Sequence, residues 1–149
     1  MPLTDQQYIQ INQALFSLTH AYESRMVAEA ERSLRNLNLS DCAVLMVMLQ
    51  VAPTNAAELA RTMDINPGTI SVYVQRLVKK GLLQRERDID DRRNWWLTLT
   101  ESGQLVAQEV VKRAAAYTRS FLSALDEEEQ AALYRLLLKA SHSLGFEWQ

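Results

Sequence analysis

At 149 residues the chain fits a single domain and is long enough to bury a real core. Its hydrophobic share of 48% is ordinary for a soluble protein, and its longest wholly apolar run, Ala43 to Leu49, is far too short to cross a bilayer. The lone cysteine, Cys42, excludes an internal disulfide and any multi-cysteine metal site, and its apolar neighbours suit a small buried filler.

A net charge of −2 argues against a nucleic-acid binder until the charges are located. Between Arg61 and Arg93 there are eight basic and five acidic residues, a local +3, so the remainder carries −5. Such asymmetry puts an electropositive face on one module. The first residues lack the basic, apolar and small-residue succession of a secretory signal, so a cytoplasmic protein with no membrane partner is expected.

Thr4 and Gln7 form a capping box, and Tyr8, Ile11, Leu15, Leu18, Tyr22 and Met26 follow at helical spacing. They predict a long amphipathic helix to about Arg35. Asn36 to Ser40 break it, and Ser40 is placed to cap a second helix. That helix is apolar almost all round from Ala43 to Val51, as a core helix is, and Pro53 stops it.

Asn55 and Glu58 make another capping box and start a short third helix bearing Leu59, Ala60 and Met63. Asp64, Ile65 and Asn66 then turn tightly, Asp64 being one of the few residue types that tolerate a left-handed backbone. Pro67, suited to the first helical position, opens a fourth helix that ends at Gly81, a natural C-cap. Two short helices joined this way form a helix-turn-helix.

Past Gly81 the period changes from helical to alternating. Leu83, Arg85 and Arg87 alternate with Gln84 and Glu86, while Trp95, Leu97 and Leu99 share one face and Asn94, Trp96 and Thr98 the other. A charged tip, Asp88 to Arg93, lies between, so residues 83–99 predict a hairpin wing. Asp88 and Asp90 look unhelpful so close to phosphates. Thr100 caps a fifth helix with Val106, Val110, Tyr117 and Phe121 inward. Asp126 and Glu129 box a sixth, where Leu133, Leu136, Leu137 and Leu144 continue the apolar face. The fold class is therefore mainly α with a two-stranded β-wing.

Glu58-Leu59-Ala60, then Pro67-Gly68-Thr69-Ile70-Ser71, then Leu77-Val78-Lys79-Lys80-Gly81-Leu82 together resemble the helix-turn-helix of MarR-family regulators. Asp91-Arg92-Arg93 and, five residues on, Leu99-Thr100-Glu101-Ser102-Gly103 are similar to that family's Asp-x-Arg and Leu-Thr-x-x-Gly signature. The likeness covers nearly the whole chain and implies a DNA-binding transcription regulator. In this reading residues 40–100 form the winged helix-turn-helix, and residues 1–36 and 101–149 supply dimerisation helices.

The residues agree with that reading. Ile70, Val74 and Leu77 recur on one face of helix 66–80 and anchor it, which turns Thr69, Ser71, Val72 and Gln75 outward. A major groove about 12 Å wide admits such a helix. Ser71 and Gln75 can bond base edges, Thr69 can reach a phosphate, and the helix start at Pro67 and Gly68 favours anions. Arg76 suits either a phosphate or an internal carboxylate. The resemblance implies a basic residue at the position of Val72, whose apolar side chain suits a thymine methyl instead. It also implies that Arg93 enters the minor groove, steadied by Asp91, with Arg92 as an alternative inserter.

Terminal helices with more apolar surface than one small domain buries point to a homodimer, whose symmetry sets two recognition helices one DNA turn apart. Two aromatics in the tail, Phe146 and Trp148, suit docking on a partner subunit. The resemblance further implies a small, often aromatic or phenolic effector, bound between the dimer helices and the winged module. His20, Tyr22 and Trp95 are candidates to line its site.

A winged helix without DNA affinity, serving as a protein-interaction module, is the alternative; paired arginines at the tip argue against it, since interface cores are depleted of charge. His20 and His142 are far apart, the glycines are scattered, and Glu127, Glu128 and Glu129 suit a helix start. No enzyme, cofactor or metal site is expected.

Overall fold

The computed structural model describes residues 1–33 and 36–144. In chain order the elements are α1 (Asp5–Ser33), α2 (Leu39–Val51), α3 (Ala56–Met63), α4 (Pro67–Lys79), β1 (Leu83–Arg87), β2 (Trp95–Leu99), α5 (Glu101–Leu122) and α6 (Glu127–Ser143). This is the expected helical fold with a two-stranded wing. The chain divides into two units, Met1–Leu39 and Ser40–Gln149.

In the first unit, the capping box opens α1: Gln7 N–H donates to Thr4 Oγ1 at 3.3 Å and Thr4 N–H donates to Gln7 Oε1 at 2.9 Å. Of the predicted stripe, Tyr8, Ile11, Leu15 and Leu18 are exposed, Tyr22 is half-buried and Met26 is buried. Ile9 and Phe16 are exposed as well. The expected end of this helix near Arg35 lies outside the described residues.

The second unit is built around α2, whose Cys42, Val44, Leu45, Val47 and Met48 are buried. This helix begins at Leu39, so Ser40 lies inside its first turn and is not its cap. Asp41, in the same turn, supplies the negative charge that a helix start favours. Asn55 caps α3 by accepting from Glu58 N–H at 2.9 Å, but the Glu58 carboxylate takes the Thr54 hydroxyl at 3.2 Å instead of completing a box. Asp64 adopts φ 50°, ψ 46°, the left-handed conformation the turn requires.

Asn66 Oδ1 accepts from Gly68 N–H at 2.8 Å and starts α4, with Pro67 in the first turn. At the other end Leu82 N–H reaches Leu77 C=O at 3.0 Å and Gly81 N–H reaches Val78 C=O at 2.9 Å. That pair of bonds, with Gly81 at φ 70°, is a Schellman stop. The chain leaves it directly into β1.

β1 and β2 pair antiparallel with Leu83 opposite Leu99, Arg85 opposite Leu97 and Arg87 opposite Trp95. Both predicted faces of the hairpin are thus correct. Thr54 adds a bridge on the far edge of β2: Leu97 N–H donates to Thr54 C=O at 2.6 Å and Thr54 N–H returns to Leu97 C=O at 3.2 Å. Leu82, Leu83 and Leu97 are buried with Ile70, Val74 and Leu77 of α4.

Thr100 accepts from Gly103 N–H at 2.9 Å and donates to Gly81 C=O at 2.7 Å, fastening the start of α5 to the end of α4. The buried side of α5 is Gly103, Ala107 and Val110. Val106 and Tyr117 are half-buried and Phe121 is exposed, so the predicted inner stripe is buried only at Val110. Asp126 and Glu129 form a complete capping box on α6, no residue of which is buried. Leu136, Leu137 and Leu144 face solvent in the single chain.

A side chain at Gly103 has no room: a Cβ there would lie 1.8 Å from the Leu82 carbonyl oxygen. Gly103→Ala is therefore expected to destabilise the protein by about 2–3 kcal/mol, the cost of forcing backbone apart in a packed region. Urea unfolding measures this, with Gln104→Ala on the exposed side of the same turn expected to change little.

Candidate nucleic-acid interface

One face of α4 is closed and the other open. Ile70, Val74 and Leu77 are 0%, 1% and 0% exposed, which fixes the rotation of the helix about its axis. Pro67, Gly68, Ser71, Val72 and Gln75 are exposed as a consequence, and Thr69 is half-buried. No acidic residue occupies the first turn of α4, so no side-chain charge there opposes the partial positive charge of its N-terminus.

Arg76 takes the internal alternative. Its Nε donates to Asp41 Oδ1 at 2.7 Å, and Lys80 Nζ donates to Asp41 Oδ2 at 2.8 Å. The Asp41 side chain is wholly buried. The guanidinium also lies 5.2 Å from the centre of the Tyr73 ring. Of the two partners the sequence left open for Arg76, the internal carboxylate takes its Nε, because a buried carboxylate demands charge partners. Asp41 was missed in the sequence, although an acid in the first turn of an otherwise apolar helix was its signal. Beside it, burial first and the Asp41 carboxylate second push the Cys42 thiol up to about 11, which suits an inert filler.

The wing tip is organised by two aspartates. Asp88 Oδ1 accepts from Asp90 N–H at 2.8 Å and Asp91 N–H at 3.1 Å, and Asp88 Oδ2 accepts from the Trp96 indole at 2.7 Å. Asp88 is thus the internal acceptor that shapes the loop, a role its charge alone did not reveal. Asp91 Oδ1 accepts from Arg93 N–H at 3.0 Å and from Arg93 Nε at 3.3 Å. The Arg93 side chain is 92% exposed, held at its base and open at its end. Arg92 is exposed, and its carbonyl accepts from Arg87 Nε at 2.9 Å.

The candidate effector residues separate between the units. His20 and Tyr22 lie on α1, where the His20 ring is parallel to that of Phe16 with centroids 6.4 Å apart. Trp95 lies on β2, under the Arg87 guanidinium at 5.6 Å. With Ala56, Ser71, Val74, Arg85 and Leu97 it lines a cleft of about 160 Å³ between α4 and the wing. The tail bearing Phe146 and Trp148, expected to dock on a partner, lies outside the described residues.

The loop should respond to acid. Backbone N–H groups of Asp91 and Asp90, then the Trp96 indole, hold the Asp88 carboxyl below its ordinary 3.8. A depressed carboxyl contributes stability that is present above its unfolded value and is lost as pH falls through the folded one. The Trp96 indole proton resonance is therefore expected to hold steady down to pH about 4 and to shift only below it. Asp88→Ala should move that resonance at neutral pH and speed amide exchange at Asp90 and Asp91.

Residues 35–94 match the profile described as MarR family. The HTH-type transcriptional repressor MdtR of Bacillus subtilis (strain 168) is 27% identical over 142 residues, spanning 95% of this chain and 86% of that protein. An HTH-type transcriptional regulator of Bacillus cereus is 30% identical over 105 residues, 70% of this chain and 69% of the relative. Among solved structures, Streptococcus pneumoniae FabT in complex with DNA aligns with a TM-score of 0.82 at 21% identity, covering 93% of this chain and 97% of that one. YusO of Bacillus subtilis aligns at 0.68 with 25% identity over 95% and 99% of the two chains. Sequence profile, curated relatives and the helix-turn-helix with its wing agree: the chain belongs to the MarR family of transcriptional regulators and is not an enzyme.

Proposed function

We propose that the protein is a homodimeric repressor that binds a palindromic double-stranded operator and is released from it by a small aromatic or phenolic effector. The observation that carries DNA binding is α4 itself: a helix locked by three buried side chains presents Ser71, Val72 and Gln75 on its open face. In the major groove Ser71 and Gln75 bond base edges and Val72 meets a thymine methyl. Pro67, Gly68 and Thr69 bring the helix start to a phosphate. The wing reaches the adjacent minor groove, where Arg93 enters and Asp91 fixes its direction, with Arg92 beside it.

Dimerisation is supported by the apolar residues left exposed on the terminal helices, among them Phe16 of α1, Leu105 of α5 and Leu137 of α6. Residues 40–100 carry the DNA contacts in this reading, and residues 1–36 and 101–149 carry the dimer. Repression is supported by the name of the Bacillus subtilis relative. The effector rests on the family likeness alone.

Light scattering at micromolar concentration is expected to give twice 17.0 kDa; a monomer that bound a palindrome at full affinity would exclude the dimer. Gln75→Ala should cost about 1–3 kcal/mol and relax selectivity at one base pair, and an unchanged ranking of operator variants would remove Gln75 from base reading.

Arg93→Ala should weaken binding and lower the salt slope by about 0.9 for each phosphate that is no longer neutralised, more on A·T-rich flanks than on G·C-rich ones. Asp91→Ala should weaken binding too, although it removes a negative charge. Tighter binding by that variant, with the flank response unchanged, would reduce the wing to a solvated basic loop.

A further inference from the structure

We propose that Asp41 is a specificity-determining residue that withholds Arg76 and Lys80 from the DNA backbone and uses them to set the angle of α4. The inference rests on the DNA-binding reading above. Arg76 and Lys80 stand four residues apart on α4 and so share one side of it. Both reach the same carboxylate, at 2.7 and 2.8 Å, from a different helix, α2. The carboxylate is fully buried, while the two cationic side chains keep 30% and 26% of their surface.

Two of the eight cations between Arg61 and Arg93 are thereby committed to an internal acceptor. Phosphate contacts raise affinity for every sequence alike, whereas base contacts discriminate. Cations on the reading helix that were free to take any phosphate would strengthen binding everywhere and blur the choice. The same two bonds are directional, unlike the apolar packing of Ile70, Val74 and Leu77. They hold the C-terminal half of α4, and Arg76 adjoins Gln75 in the chain. Within the face that the apolar packing turns inward, Asp41 refines from behind the rotation at which Gln75 meets a base edge.

Opposite changes in two affinities separate this role from a purely structural one. Asp41→Asn in the full-length protein keeps the volume of the side chain but removes the charge that holds both cations, leaving a single amide oxygen as acceptor. Binding to a random-sequence duplex should tighten, and its salt slope should steepen by about 0.9 for each cation that reaches a phosphate. Preference for an operator selected from random duplexes should fall roughly tenfold, about the discrimination of one base pair. Loss of folding alone would weaken both affinities.

Lys80→Gln supplies a second arm that decides the question even where Asp41→Asn does not fold. It should leave the random-duplex slope unchanged and lower operator affinity, because Lys80 is already committed. A slope flattened by about 0.9 in Lys80→Gln, or a folded Asp41→Asn with random-duplex affinity and preference both unchanged, overturns the proposal. Wild-type protein that bound no duplex at all would overturn the DNA-binding reading and this inference with it.

Discussion

The fixed orientation of α4 is the constraint on which the second unit depends. Burying Ile70, Val74 and Leu77 contributes about 1.5–3 kcal/mol for each side chain, but apolar contact has no preferred direction. Direction comes from the ends. Asp64 and Asn66 set the entry of the helix, and the Schellman stop at Gly81 sets its exit. The exit leads straight into β1, and Thr100 ties the same point to α5 through the Gly81 and Leu82 carbonyls. Helix, wing and following helix therefore share one small junction, which is why Gly103 has no space for a Cβ.

Charge in this region is arranged by partner and not by count. Of the five acids between Arg61 and Arg93, Asp88 and Asp91 accept hydrogen bonds that shape the wing tip. Glu86 accepts from the side chain of Gln84 on the exposed side of β1. Of the eight bases, Arg76 and Lys80 meet an acid that lies outside the basic stretch altogether. In the proposed DNA complex, the field a phosphate meets comes from the exposed cations, Arg93 among them, and not from the formal balance of the segment. Short-range geometry decides it, because screening removes the contribution of distant charges.

The terminal helices present a different problem. Each exposes aromatic or aliphatic side chains that an isolated domain of this size rarely leaves in water: Tyr8, Phe16 and Leu18 on α1, Leu136 and Leu137 on α6. Within α5 the burial stops at Val110, and Val111 and Phe121 are exposed beyond it. Such surface gains most from association, since apolar area removed from water is the main favourable contribution to both folding and assembly. The proposed dimer draws on that surface, and the proposed DNA contacts draw on none of it.

Much of this protein was legible in its residues. The period of the apolar positions marked the long outer helices, the capping boxes at Thr4 and Asp126 were complete as read, and alternation after Gly81 set both faces of the wing. Those signals are local: a cap joins residues three apart, and a strand repeats every second residue. What the sequence could not determine were pairings across distance. Arg76 left two partners open, and only the packing of α2 behind α4 brought Asp41, 35 residues earlier, within 2.7 Å. Asp88 showed no partner in the sequence, and only the folded wing aims the Trp96 indole at it from eight residues away. Thr54 gave no strand signal, yet it bonds the edge of β2 because α3 starts there. The inner stripe of α5 was only partly covered for the same reason, whereas Ser40 missed the cap because α2 begins one residue before it. Periodicity states which residues share a face, whereas burial depends on which neighbour arrives to cover that face.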